Sequence, residues 1–511
     1  MFSTTNRLPL ASILDFKNNT MQSIVKYFSL LILLWLGASS CSKSFLDKKP
    51  YTSNDLSTAI ASEVDLGVAV NGMYASLRAT DLYGRSVPLK GDLMADNAFV
   101  ATANSGRYLT VNNFSFTNSD GYALGLWQNA YIAIKYANTV ITSTLPASAT
   151  VNQYVGEAYA VRALMHFELV RNFAHPYTTS PADPGIPLVT RFNIGSFDPF
   201  ALPARNTVKE VYTQILADLD TAYARMSTYK GTAYFSKYAA RALQARVYQH
   251  MGDWANAKTA ALDVINNSGW VMLSPAAYVA PSGTVAAGTY SPGGYWANPA
   301  VQTSSKNETL FEIACDITNN NGFDQLGGIY LTTGGYYGDI LGVAEVYNLY
   351  AATDVRKGLM ATGTRSGQSG TAYFSYKYPN ASNTVDKDDI KILRLSDIIL
   401  VAAEATYNAG DIPNALVYLN RVAKQRDPAF AGYSSTGAQV LEDILTERRK
   451  ELAYEGVRLW DLIRLGRSWT KIKNQNPLTT VLITPSSSAL IYPIPVAELN
   501  ANKNISQNPG Y

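Results

Sequence analysis

The hexapeptides GDWANA (252–257) and GDIPNA (410–415) carry Gly, Asp, Asn and Ala at the same offsets, each between two stretches with apolar residues every three or four positions. Glycine just past a helix can close it in the left-handed conformation, the next aspartate can cap the helix that follows, and the small alanine lets the two helices approach. The pattern predicts helical hairpins in two parts of the chain. In the first part, helical spacing covers 55–79, 121–143, 152–173, 207–227, 237–250 and 254–267, with Thr207 and Glu210 at capping-box spacing and Ser236 and Asp253 as N-caps. In the second, about 394–466, Asp411 precedes one helix, and Thr436 with Gln439 precedes another. The expected fold is mainly α: a tetratricopeptide-like scaffold of helical hairpins with a loop-rich, irregular part holding a few short strands.

That irregular part is 271–390, rich in Gly, Ser, Asn and Tyr. TLFEIAC (309–315) and TAYFSYKY (371–378) read as short strands, and the rest reads as loop. Long loops on a helical scaffold commonly carry function. The expected division is a leader over 1–40, an N-terminal helical part over 41–270, the loop-rich part over 271–390 and a C-terminal helical part over 391–511. The closing stretch YPIPVAELNANKNISQNPGY is expected to run extended along the body.

Charge excludes one class of partner. Forty-two Lys and Arg against 39 Asp and Glu leave a net charge of +3 in 511 residues, with no basic footprint for nucleic acid. Residues 447–467, ERRKELAYEGVRLWDLIRLGR, are dense in charge of both signs. Their spacing pairs Glu447 with Lys450, Arg448 with Glu451, Glu455 with Arg458 and Asp461 with Arg464, which predicts a helix with one solvated, ion-paired face and one apolar face. Two cysteines and three histidines support neither a disulfide framework nor a zinc cluster, so no metal or cofactor is expected.

The leader has a secretory outline. Lys26 precedes an apolar run from Phe28 to Gly37, then the small residues Ala38, Ser39 and Ser40, then Cys41. The run is too short to span a bilayer. A cysteine in that place suggests a bacterial lipoprotein site, with the Cys41 thiol acylated and the chain tethered outside the cytoplasm. Met21 is a more natural start than Met1.

Several segments in order, CSKSFLDKKP (41–50), LWQNAYIAIKYANTVI (126–141), GEAYAVRALMHFELVRNFAHPY with GIPLV (156–189), RLSDIILVAAEATYNAGD (394–411), the 447–467 string and the closing stretch, resemble the SusD/RagB family of nutrient-binding outer-membrane lipoproteins of Bacteroidetes. The resemblance implies a helical body of four tetratricopeptide-like units, no catalysis, and a lid-like role over a SusC-like, TonB-dependent outer-membrane transporter to which captured oligosaccharide or another nutrient is delivered. It also implies a lipid-anchored, surface-exposed location. Surface-exported members commonly carry acidic residues after the acylated cysteine, whereas Ser42, Lys43 and Ser44 follow here.

A sugar receptor needs flat aromatic faces and polar groups for hydroxyls, and the chain holds 34 Tyr against 17 Phe and 7 Trp. The loop-borne candidates are Tyr295, Trp296 and Asn298, then Tyr330, Tyr336, Tyr337 and Asp339, and in the first part Asp96, Asn97, Tyr108 and Asn113. Trp296 and Tyr337 are the expected stacking platforms and Asn97 a hydroxyl partner. No catalytic residue is expected. A glycoside hydrolase needs two carboxylates across the scissile bond; Glu157 with Glu168 read as helix-borne capping or ion-pairing groups, and Asp92 with Asp96, four apart, as sharing one helical turn rather than flanking a substrate. Cys315 and His166 read as packed residues. The alternatives are a helical-repeat scaffold for outer-membrane complexes without a small ligand and, less favoured by the residues, a glycoside hydrolase.

Overall fold

The two GD hexapeptides build the same turn twice. Gly252 and Gly410 take left-handed conformations (φ 71° and 80°). Asp253 and Asp411 then accept hydrogen bonds from the Asn256 and Asn414 amides, while the Asn256 and Asn414 side chains donate back to the same carboxylates at 2.7 and 2.8 Å. Asparagine at this offset thus holds the capping aspartate in place, and Ala257 and Ala415 are fully buried one position on. The computed structural model describes residues 60–191, 202–279, 294–297, 307–384 and 386–511. Within it, Ile60–Tyr511 is one compact unit.

Helices of seven residues or more are α1 Glu63–Leu77, α2 Ser86–Leu93, α3 Gly121–Ile141, α4 Ala149–Phe173, α5 Val208–Arg225, α6 Lys237–Met251, α7 Trp254–Asn267, α8 Leu395–Asn408, α9 Ile412–Arg426, α10 Gln439–Leu452 and α11 Arg458–Arg464. Each of α3 to α7 packs on the next, α7 packs on α8, and α8 with α9 supports α10. The two hairpin blocks are therefore one stack, continuous across the long excursion between Asn267 and Leu395. The Thr207–Glu210 capping box is present. The expected cap at Thr436 is not, because α10 starts after Ala438 without a side-chain cap. Helix α2, entirely buried, lies outside the stretches of helical spacing, and only the reading of Asp92 pointed to it; its GRSVPLKGDL segment has no polar face from which a period could be read.

Strands β1 Ala98–Val100, β3 Ile340–Gly342, β5 Ala372–Ser375 and β4 Met360–Gly363 lie in that order in an antiparallel sheet, so the irregular region folds back onto the segment after α2. Strand β2 (Thr309–Ile313) pairs with β6 (Ile390–Arg394), and β7 (Trp469–Gln475) with β8 (Leu478–Ile483) forms an unexpected hairpin. The closing stretch runs along the body: the Asn508 amide donates to the carbonyls of Phe173 and Tyr492 at 2.8 Å.

The charges of 447–467 are not on a solvated face. Glu447, Arg448 and Glu451 are buried, as are Asp461 and Arg464 of α11. Glu451 pairs with Arg394 (2.8 Å), Arg426 (3.0 Å) and Arg356 (3.1 Å), and Arg426 also binds Glu308. Arg448 joins Asp397 (2.9 Å) to Asp461 (3.0 Å), and Arg464 joins Asp461 to Glu404. Of the four pairs expected from spacing, Glu447–Lys450 and Asp461–Arg464 form; Arg448 and Glu455 instead reach across to other elements. Helical spacing is the same whether a charged row meets water or a matching row on a neighbour, which is why the sequence misled. Burial alone would raise the Glu451 carboxyl; the charges of Arg426, Arg394 and Arg356 outweigh it and hold it well below its ordinary value.

Removing one partner leaves the others buried and uncompensated. Glu451→Ala is expected to cost about 3–5 kcal/mol in denaturant unfolding, and a loss below ~1 kcal/mol would show the network to be slack. Asp397 and Asp461 are likewise held below their ordinary value of 3.8, and Glu451 below 4.5. A depressed carboxylate stabilises the fold above its unfolded pKa and loses that contribution as pH falls towards the folded one. The unfolding midpoint should therefore be lower at about pH 3 than at pH 7, and an equal midpoint would contradict the assignment.

Candidate functional site

The turn after β1 is fixed from below. Asp339, buried just before β3, accepts the Ser105 N–H (2.9 Å) and the Ser105 hydroxyl, and its carbonyl accepts the Ala101 N–H. Arg365 donates to the carbonyls of both Ala103 and Tyr337 at 2.8 Å, joining this turn to 333–339. Tyr337 is held further by its own N–H on Gly328 O (3.0 Å). Over it lies Arg107, its guanidinium carbon 3.8 Å from the ring centroid and one nitrogen donating to the Tyr337 hydroxyl at 2.9 Å.

A third loop completes an aromatic surface. Phe323 is 57% exposed, with ring centroids 4.8 Å from Tyr336 and 6.5 Å from Tyr337. Tyr336 is anchored at its far end, its hydroxyl donating to Ala381 O at 2.6 Å. Beside Phe323, Asp324 bridges Arg85 (2.6 Å) and Arg107 (3.4 Å). The result is a cluster of three rings, with Phe323 beside both Tyr336 and Tyr337, rimmed by one carboxylate and one guanidinium, on backbone that buried side chains hold. Such a surface can stack against the C–H face of a sugar and bond its hydroxyls.

A groove of about 660 Å³ continues from the same loop, lined by the end of α1, by Asn129, Ile132 and Tyr136 of α3, and by Thr318 to Asn321. Tyr136 is 42% exposed there.

The structure sorts the expected residues. It brings Tyr336 and Tyr337 to this surface and places Asp339 beneath it as the pin. Tyr108, buried and left-handed (φ 59°), stacks on Tyr122 and accepts the Arg85 Nε bond at 2.7 Å, so it supports Arg85 from inside. Trp296 is enclosed (1% exposed) and packs with Tyr278, Tyr295, Leu273 and Leu359, under the cations of Lys377 and Lys391. The platform expected at Trp296 is thus a packed ring with no free face in this arrangement. Tyr295 shares that cluster, and its hydroxyl meets Thr309. Tyr330 is buried between Tyr378 and Tyr454.

Asn97, expected to meet a hydroxyl, is also buried, spending its amide on Asp92 (2.7 Å) and its oxygen on Arg449 (2.8 Å). Asp96 is forked by Arg458 and approached by Arg449; burial opposes its charge, but these cations hold its carboxyl below the ordinary range. Half-buried Asn113 accepts from Asn112. Asn298 and Cys41 lie outside the described residues. Phe323, Arg107 and Asp324 were not expected, because Tyr, Trp and Asn are the residue types most typical of sugar sites; the signal was present as an aromatic–acid pair in NNNGFDQ.

The other singled-out groups have structural partners or none. Asp92, buried, accepts from Asn97 and from the Tyr454 and Gly456 amides, and burial pushes its carboxyl up to about 6. Glu157 pairs with Lys230 and Glu168 with Arg171. Burial drives His166 down to about 3, keeping it neutral, and raises the Cys315 thiol to about 12. Among the described residues no group of three or more His, Cys, Asp or Glu could hold a metal ion, and no helix is long and apolar enough to cross a membrane.

A stack of helical hairpins presenting an aromatic loop surface defines a binding protein of repeat architecture. The chain belongs to the SusD family: the family's model matches residues 240–511, and a second model, described as starch-binding and associating with the outer membrane, matches 44–249. SusD-like protein P2 of Formosa agariphila is 27% identical over 95% of this chain and all of its own length. The starch-binding protein SusD of Bacteroides thetaiotaomicron is 29% identical over 141 residues, 27% of this chain and 24% of that protein. Solved SusD-superfamily structures from Bacteroides thetaiotaomicron (TM-score 0.76) and Bacteroides vulgatus (0.75) are each 26% identical and cover 88% of this chain, and 100% and 99% of their own.

Trp296→Ala is expected to behave as a core deletion, losing about 3–5 kcal/mol of stability. Calorimetry on the folded remainder should show oligosaccharide affinity unchanged, and a selective loss of affinity with normal stability would return Trp296 to the site.

Proposed function

We propose that this protein is a non-catalytic, lipid-anchored receptor of the outer membrane, displayed at the cell surface through acylated Cys41. It captures an oligosaccharide on the Phe323, Tyr336 and Tyr337 surface and delivers it to a SusC-like, TonB-dependent transporter. One observation carries the reading: three aromatic side chains, one of them mostly exposed, are held together on loops pinned by buried groups. An exposed ring set beside two half-buried ones on a fixed frame offers a surface that a ligand can cover, and Arg107 and Asp324 supply the directional bonds an oligosaccharide needs. The starch-binding SusD of Bacteroides thetaiotaomicron and the family description of starch-binding association with the outer membrane support the same ligand class and the same membrane.

Calorimetric titration with linear and branched oligosaccharides tests it. Phe323→Ala and Tyr337→Ala should each weaken binding by roughly 0.5–1.5 kcal/mol or more, with the sugar recovered uncleaved. Wild-type affinity in both variants would remove the surface from the site, and release of shorter sugars would replace receptor by hydrolase. Detergent extraction with tagged protein should co-purify a barrel-sized partner, and its absence would end the delivery role.

A further inference from the structure

Where the buried charges around Arg448 meet the first half of the helix stack, they enclose a small space. A cavity of about 20 Å³ lies between α2, Glu168 and Arg171 of α4, Arg246 and His250 of α6, Arg448 of α10 and the turn Glu455 to Val457 before α11. Roughly 10–15 Å³ suffices for one water. A single species of that order fits, and a sulfate, a carboxylate ligand or a sugar does not.

The wall is rich in donors that the fold leaves free. Arg246 spends Nε and Nη2 on Asp397 and on Ile392 O, and Arg448 spends Nε on Asp461 and Nη1 on Asp397. Nη1 of Arg246 and Nη2 of Arg448 have no hydrogen-bond partner among the described residues, and neither has the His250 ring. The three residues are buried, at 7%, 1% and 8% exposure. They are not sealed off as the unpartnered His166 nitrogens are, and this cavity is the space that all three line. Burial, with the charges of Arg171 and Arg464 beside it, holds His250 well below its ordinary value, so the ring is neutral and brings one N–H.

The acceptors nearby are already engaged. Glu168 accepts from Tyr83 and Arg171, and Glu455 from Lys377 and Arg394. Behind the wall, Asp397, Asp461 and Glu404 alternate with Arg246, Arg448 and Arg464 in a balanced chain. Lys391 also lines the cavity, stands over the Tyr295 and Trp296 rings, and is in no ion pair among the described residues. The wall thus holds one cation more than its ion pairs use. Buried donors without an acceptor cost free energy. A water would take up two of them and then need acceptors for its own hydrogens, whereas a halide accepts from all and donates nothing.

We propose that this cavity binds one halide ion, chloride in the protein's surroundings, held by Arg246 Nη1, Arg448 Nη2 and the His250 N–H. The ion ties α6 to α10, and so joins the first half of the helix stack to the charge network of the second. Stability then rises with chloride concentration, because the folded chain binds the ion and the unfolded chain does not. The site stands whether or not the aromatic surface takes a sugar.

Crystals of the whole protein transferred from chloride to bromide test it by anomalous diffraction, and unfolding midpoints in sodium chloride and in sodium gluconate at equal ionic strength test it in solution. A bromide peak within hydrogen-bonding distance of Arg246 and Arg448 and a higher midpoint in chloride are expected. His250→Phe, which keeps a ring against Phe167, should weaken chloride about tenfold. Val457→Phe, filling the cavity from its half-buried edge, should abolish both signals. If both variants misfold, the two wild-type measurements decide. Water alone in the cavity overturns the proposal, and so does a bromide peak without any chloride dependence of the midpoint, which marks filling at crystal concentration only. Undiminished chloride dependence in folded Val457→Phe would put the ion elsewhere and overturn it as well.

Discussion

The buried contact between Glu451 and three arginines is the interaction on which the rest of the architecture depends. Arg394 comes from the end of β6, Arg426 from the end of α9, Arg356 from the turn before β4, and all converge on one carboxylate of α10. Helix stack, two-stranded ladder and irregular region thus meet at a point. Each charge would be expensive alone in such surroundings, and the arrangement holds because Glu308, Glu447, Glu455 and Asp354, with Lys377 and Lys450, complete the balance.

From that point, order passes outward to the loops of the proposed aromatic site. Arg449 and Arg458, neighbours of the network, grip Asp96 and Asn97 just before β1; β1 pairs with β3, and Asp339 at the head of β3 pins the turn that carries Arg107. The aromatic surface therefore stands at the end of a chain of buried polar contacts. A site built this way is preformed, which favours affinity by reducing what binding must order.

The hairpins were legible because their determinants are local: Gly252, Asp253 and Asn256 act within one turn, and Gly410, Asp411 and Asn414 repeat them. The fate of the tyrosines was not. A ring with a hydroxyl serves equally as a buried wedge, as at Tyr330 and Tyr295, or as a half-exposed surface ring under a cation, as at Tyr337 beneath Arg107, and only tertiary neighbours decide between them. The same holds for charge in α10, where burial is set by Arg394 and Arg426 on other elements. Residue type located the loop cluster, which contributes Tyr336 and Tyr337, but not which members of it face outward.

Asp92, Asp96 and Asn97 find their partners between 449 and 458, more than 350 positions along the chain. The segment from the end of α2 to β1 therefore cannot complete its bonds while the chain is still emerging; its completion waits for residues made near the end. Contacts of such long range slow folding. An early segment that cannot close on itself stays open to its surroundings until the last part of the chain is present.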